Sequence, residues 1–459
     1  MQSNPAGIRI DDFSGAIIDM IINLCPFEDL PNIILASTRL SRPATRRLFR
    51  QVVLKPTEES ISQWKAVTQD DKIRQLPKTI TIWSYSDIDL RTYESDGDES
   101  MVKKDVFFDA LDHLKRFENA QSVILLSTPD VCASDHARSY WISLFEDPSY
   151  RKSTLMRLFG AIQARNNDST TMIKDLTFRN LQNMPVPEVT SSETFRSVMQ
   201  LIQGLHVQST YEYNEPGPDH DLYKPISGQL KRLSLYDRTN WGILPGRFPA
   251  ESLQLPELEE LSLGYYTIGQ DDQSDWLFRC KNLKRLNLHK VQILSHAELM
   301  DQRIESWSVN TSPWQSIANP DPRYGVRVGR GGGIRNFFKT NIRWATFYNR
   351  IANELPHLTQ ITIAYGSSCE DDIQHDIQER DNLGLSFNTK RYVAFWEGIL
   401  PNPWPEAEER SHHPEDELSG KIEWCRTEIN PHAEYLDEDK EAYDTMVGAI
   451  QQRRSRTCE

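Results

Sequence analysis

Leu230-Lys231-Arg232-Leu233-Ser234-Leu235, Leu258-Glu259-Glu260-Leu261-Ser262-Leu263 and Leu283-Lys284-Arg285-Leu286-Asn287-Leu288 repeat one pattern, apolar-x-x-apolar-x-apolar. A fourth copy stands at Leu358-x-x-Ile361-x-Ile363, and weaker copies begin at Pro77, Ala120, Ile173 and Ile202. From Ile173 onward the start-to-start spacings are 29, 28, 28, 25 and 75 residues. The last two apolar positions of each copy are two residues apart, which places both on one face of a short strand. Amphipathic stretches precede several copies: Val106-Phe107-Ala110-Leu111-Leu114-Phe117 before Val123, Phe195-Val198-Met199-Ile202 before Leu205, and Ile334-Phe337-Trp344-Tyr348-Ile351-Leu355 before Ile361. A helix alternating with one short strand, repeatedly, predicts an α/β fold of parallel strands with helices on one side.

Residues between the repeat leucines point to the opposite face of the sheet. They include Arg179, His206, Arg232, Tyr236, Glu260, Arg285, Asn287, His289 and Gln360, a mixture of charges, amides and aromatic rings that suits recognition of a protein surface. The segment from Met300 to Lys339 interrupts the pattern with Trp307, Trp314, Asn319-Pro320-Asp321-Pro322 and Gly329-Arg330-Gly331-Gly332-Gly333, the composition of an excursion loop. No Gly-Lys-Ser/Thr follows the glycines, so a phosphate-binding P-loop is rejected.

Upstream, between Phe13 and Leu54, the pattern is helical. Ile17, Ile18, Ile21, Ile22 and Leu24 follow helical spacing up to Pro26. A second helix restarts over Phe27–Ala36 with Glu28 and Asp29 in its first turn, and a third is expected after Ser41, with Pro43 in its opening turn. Helices this short bury little surface among themselves, so apolar residues left over call for a partner.

The run Asp12–Leu30, followed by Ala36-Ser37-Thr38-Arg39-Leu40, Arg47-Leu48-Phe49-Arg50 and the strand-like Gln51-Val52-Val53-Leu54, resembles an F-box of the fungal type. Phe13-Ser14 stands where that family opens on Leu-Pro, and Leu40 where a tryptophan is common. The resemblance implies docking to a Skp-family adaptor, and through it to a cullin-RING ubiquitin ligase, by Phe13, Ile17, Ile18, Ile21, Leu24, Pro26, Leu30, Ile33 and Leu40. The repeats between about residues 70 and 365 resemble leucine-rich repeats, without the usual turn Asn or Cys: Tyr266 and Val291 stand there instead. The expected organisation is an F-box at 8–56, an irregular αβ leucine-rich-repeat solenoid at 57–300, the excursion at 301–340, terminal repeats at 341–396 and an acidic extension at 397–459.

Motif searches give no catalytic residues, no metal site and no cofactor: His-Glu-x-x-His, Gly-x-Ser-x-Gly, Gly-x-Gly-x-x-Gly and Cys-x-x-Cys are all missing. Cys25 reads as a small buried thiol rather than a nucleophile. The formal charge is −14, and fifteen acidic against four basic residues between Glu397 and Asp444 supply most of it. Neither the acidic whole nor the mixed charges of the strands suits a phosphate backbone, so no nucleic acid is expected. With no readable secretory signal, no apolar run that spans a bilayer and six scattered cysteines, an intracellular protein off the membrane is expected. The reading is a non-enzymatic substrate receptor of an SCF-type ligase (Skp, cullin, F-box) with an unidentified protein substrate. The alternative is a leucine-rich-repeat scaffold without a ubiquitination role.

Overall fold

The computed structural model describes residues 13–85, 104–128, 148–168, 171–183, 185–210, 222–223, 225–226, 228–244, 246–248, 250, 253–317, 335–364, 385–387, 391–397, 401–403 and 434–457. The chain divides into two compact units, Met1–Ser127 with Ser149–Thr177, and Thr128–Pro148 with Phe178–Glu459.

In the first unit, α1 (Gly15–Leu24) starts where the Ser14 side chain accepts a hydrogen bond from the Ile17 amide, and it stops before Pro26. Then come α2 (Leu30–Ala36) and α3 (Thr38–Leu48). The third helix begins earlier than the sequence suggested, because the Ser37 hydroxyl accepts from the Leu40 amide and caps it there. Pro43 is therefore interior and leaves one turn of α3 without its backbone bond. Ile18, Ile22, Leu30 and Ala44 form the small core of these helices. Strand β1 (Gln51–Leu54) follows, then α4 (Glu58–Gln69), β2 (Thr79–Trp83), α5 (Lys104–Leu111), β3 (Ser122–Leu126), α6 (Pro148–Asp168) and β4 (Asp175–Gln182), which crosses into the second unit. β1, β2 and β3 are parallel and in register.

A buried arginine holds the segment that leads into β3. Arg165, fully buried on α6, donates to the carbonyls of Phe117, Glu118, Ala120 and Thr171 and to Asn166 Oδ1. Carbonyl dipoles take the place of a carboxylate counter-ion. Burial pushes the guanidinium down to about 10, so it is still a cation at neutral pH.

The second unit contains α7 (Pro187–Thr190), α8 (Glu193–Met199), β5 (Gly204–Thr210), β6 (Arg232–Trp241), β7 (Glu260–Ile268), α9 (Asp275–Arg279) and β8 (Arg285–His289). It continues with β9 (Gln292–Met300), α10 (Asp301–Ser306), β10 (Gln315–Ile317), β11 (Arg335–Lys339), α11 (Trp344–Glu354), β12 (Gln360–Ala364), β13 (Tyr392–Glu397), β14 (Pro401–Pro403) and α12 (Leu436–Thr457). The molecule is thus mixed α/β with a largely parallel, open sheet and helices at its N-terminus.

β5, β6, β7, β8 and β12 are successive parallel neighbours, and the repeat positions stand opposite one another: Leu205, Leu233, Leu261, Leu286 and Ile361 in one row, Val207, Leu235, Leu263, Leu288 and Ile363 in the next. Each strand is entered the same way. One carbonyl accepts two successive amides of the following strand: Gln203 from Lys231 and Arg232, Lys231 from Glu259 and Glu260, Glu259 from Lys284 and Arg285, Lys284 from Thr359 and Gln360. The 75-residue gap is therefore an insertion, because β12 resumes directly beside β8.

The described part of the inserted chain is strand and helix rather than loop. β7 pairs β8 along Glu260–Gly264 and then pairs β9 at Thr267 and Ile268. Tyr265 and Lys290, both with left-handed backbone (φ 59° and 52°), mark the two bends. The Lys290 ammonium donates to the Tyr265 hydroxyl at 2.7 Å, joining the bends. β9 then pairs β13 in parallel and β11 antiparallel, with β10 beside β11 and β14 beside β13. Trp307 and Trp314, expected in an excursion loop, lie in the core of this part with Leu294, Leu299, Phe338 and Phe395.

The acidic extension is likewise part of the fold at its end. Met446, Ile450 and Tyr443 of α12 are buried, and the Arg453 side chain donates to the Ala352 carbonyl of α11. Asp439 is fully buried. Its Oδ2 accepts from Arg391 Nε at 2.6 Å and from the Tyr392 hydroxyl at 3.0 Å, and its Oδ1 accepts from the Ala345 amide at 2.9 Å. A carboxylate at the N-terminal turn of α11 meets that helix's free amides and its dipole as well as the arginine.

Candidate functional site

Helix α1 is apolar on two sides. Ile18 and Ile22 point into the core, whereas Ile17, Met20, Ile21 and Leu24, spaced i, i+3, i+4 and i+7, are exposed. Leu24 is 84% exposed, and Leu35 on α2 is 85% exposed. Phe27, in the turn between α1 and α2, is exposed as well. Large apolar side chains left exposed along one helix face, as on α1, are a feature of surfaces that bind other proteins.

The sequence-derived docking residues divide on this geometry. Ile17, Ile21, Leu24 and Pro26 are exposed, and Phe13, Ile33 and Leu40 are half-buried. Ile18 and Leu30 are withdrawn into the core, Leu30 completely, so they hold the helices together and offer nothing to a partner. Met20, Phe27 and Leu35 were missed. A helical projection of α1 separates residues 17, 20, 21 and 24 from 18 and 22, and would have found Met20. Cys25 is half-buried, with its Sγ 3.3 Å from the Ile21 carbonyl oxygen.

Most of the second group of residues lies in rows across the strands. Arg232, Glu260, Arg285 and Gln360 are successive partners. Arg285 reaches Glu260 at 3.5 Å and donates to Gln360 Oε1 at 3.2 Å. The next row is His206, Ser234, Ser262, Asn287 and Thr362, with Asn287 Nδ2 donating to Ser262 Oγ at 3.0 Å. The third is Gln208, Tyr236, Gly264, His289 and Ala364. Arg179 is half-buried on β4.

Accessibility corrects the expectation of an open polar face. Arg232 and Gln360 are exposed, and Glu260 and Arg285 are half-buried, but His206, Tyr236, Asn287 and His289 are buried, His289 to 2% exposure. The Tyr236 ring explains part of this. It lies over Gly264, where an added methyl would sit 2.1 Å from a ring carbon, and its centroid is 5.9 Å from the His206 ring and 6.0 Å from the His289 ring. Missing side-chain bulk at Gly264 lets the ring fold down onto the sheet. The accessible part of this face is its leading row of Arg232, Glu260, Arg285 and Gln360.

No family model matches this chain, and no curated protein does either. Its chemistry must be read from the residues themselves. Among the described residues, no group of three or more His, Cys, Asp and Glu side chains is placed to hold a metal ion. No helix among them is long and apolar enough to cross a membrane. Burial pushes the Cys280 thiol up to about 11, which removes it as a thiolate nucleophile at neutral pH. Burial, helped by the Lys339 charge, pushes His296 down to about 4, so it is neutral in the folded protein.

Proposed function

We propose that this protein is the substrate-recognition subunit of an SCF-type ubiquitin ligase. Its N-terminal helices would dock a Skp-family adaptor, and its strands, read as an irregular αβ leucine-rich-repeat solenoid, would hold a protein substrate. The observation that carries the reading is the outward apolar face of Ile17, Met20, Ile21 and Leu24 on a helix whose small core is already filled by other residues, with Phe27 and Leu35 exposed on the elements that follow it. Burying such a face contributes about 25 cal/mol per Å² of apolar surface, which favours a stable complex. The repeated carbonyl that enters each strand supports the solenoid part, since every repeat then contacts its neighbour identically. A substrate bound in this way reacts at a high effective concentration beside the ligase's catalytic partner, with no catalytic group needed on this chain.

The test is co-purification of the full chain with a Skp-family adaptor. Leu24→Asp with Leu35→Asp changes only exposed positions, so the expected result is loss of the adaptor at an unchanged circular dichroism spectrum. Undiminished adaptor binding by this folded variant would sink the docking reading.

A further inference from the structure

We infer that the Asp439 carboxylate is a register lock: it selects which turn of α12 seats on α11, while the apolar side chains of α12 supply the strength of the contact. The inference is independent of the adaptor-docking reading. Asp439 begins the buried stripe of α12 and Ala442, Tyr443, Met446 and Ile450 continue it, at i, i+3, i+4, i+7 and i+11. Tyr443 packs edge-on against Tyr348 of α11, with ring centroids 5.6 Å apart.

The apolar part of this stripe does not choose a position by itself. A slide of α12 by four residues, about one turn, puts Met446 in the place of Ala442, Val447 in that of Tyr443 and Ile450 in that of Met446. The shifted helix would again bury an apolar row. Only the first member of the stripe is not interchangeable, because the same slide brings Tyr443 to the place of Asp439.

That place accepts one chemistry. Arg391 Nε at 2.6 Å, the Tyr392 hydroxyl at 3.0 Å and the Ala345 amide at 2.9 Å all donate to the Asp439 carboxylate. The arginine and aspartate side chains are 1% and 0% exposed, so water cannot substitute for either. Arg391 is itself tied down, since its carbonyl accepts from Trp344 Nε1 at 2.5 Å and from the Ile293 amide at 3.0 Å. A phenol in place of the carboxylate would leave a guanidinium buried without its counter-charge. Replacing a buried ion pair by well-packed apolar residues is often neutral for stability, and fixing a register is the best-attested use of such a pair. The carboxylate therefore excludes the wrong seat more than it strengthens the right one.

The test is a distance measurement by double electron–electron resonance on the full chain. Spin labels are carried on unnatural amino acids at exposed Thr346 of α11 and exposed Gln452 of α12, which leaves the six cysteines unlabelled. Wild type is expected to give a single distance. Arg391→Leu/Asp439→Leu, with an apolar pair in place of the ion pair, is expected to give two distances about 5 Å apart, the rise of one turn. Asp439→Leu/Tyr443→Asp carries the carboxylate one turn along the helix, and its single distance is expected to move by about 5 Å. The wild-type distance alone in either folded variant would show that the apolar stripe sets the register, and the inference falls. A featureless distribution in either variant would show that the pair in its native place supplies the strength of the contact, which overturns the inference as well.

Discussion

The N-terminal helices and the repeat strands manage their surfaces in opposite ways. On α1, apolar side chains point outward while the inner face is already packed. On the strands, polar side chains occupy the face away from the leucines, yet most of them are buried by their own neighbours. Polarity therefore does not report accessibility in this molecule. A helix this short has too little interior to take in both of its apolar faces. A flat sheet face with Tyr236 folded over Gly264 covers its own polar groups.

The largest effect that separates burial from exposure is expected at Asp439. Asp439→Ala leaves the Arg391 guanidinium buried without its carboxylate and removes the acceptor for the Ala345 amide. A loss of about 3–5 kcal/mol is expected, read from the urea midpoint. Midpoints equal to wild type would show that the pair is not sealed from water.

Leu30→Asp sharpens the contrast within the helices themselves. Leu30 has no exposed surface, so a charge there should cost about 3 kcal/mol or more and melt the N-terminal helices. Leu24→Asp, at an exposed position, should stay within about 0.5 kcal/mol. Hydrogen exchange of the α1 and α3 amides distinguishes the two, and equal protection in both variants would erase the assigned inner and outer faces.

Gly264→Ala tests the covering of the strand face. The added methyl clashes with Tyr236, at an expected cost of about 1–3 kcal/mol. Replacing Tyr236 by Ala in the same chain should relieve most of that clash, and thermal melts of the four proteins in the cycle measure the coupling.

The smallest effect is one of pH. His296 titrates near 4 in the folded protein and near its ordinary 6.5 when unfolded. A depressed histidine binds more protons unfolded, so its contribution to stability is complete above about pH 6.5 and is lost as pH falls toward 4. His296→Gln should flatten the fall of Tm over that window. An unchanged slope would assign the pH dependence to other groups.

Sequence pattern alone determined the repeat. Leu233, Leu261 and Leu286 stand opposite one another because period-two alternation leaves only one register that buries them all. It also determined that the N-terminal helices carry more apolar residues than they can hide. Only the tertiary structure decided which residues those are, because Ile17 and Ile18 are the same side chain and differ only in the direction each faces. It also decided that the described part of the excursion packs into a core built on Trp307 and Trp314, and that the helix expected near Asp437 to Ile450 in the acidic tail is anchored to the fold through Asp439. Those outcomes depend on contacts between residues far apart in the chain, such as Ala345 with Asp439 and Tyr236 with Gly264. Local periodicity has no information about them.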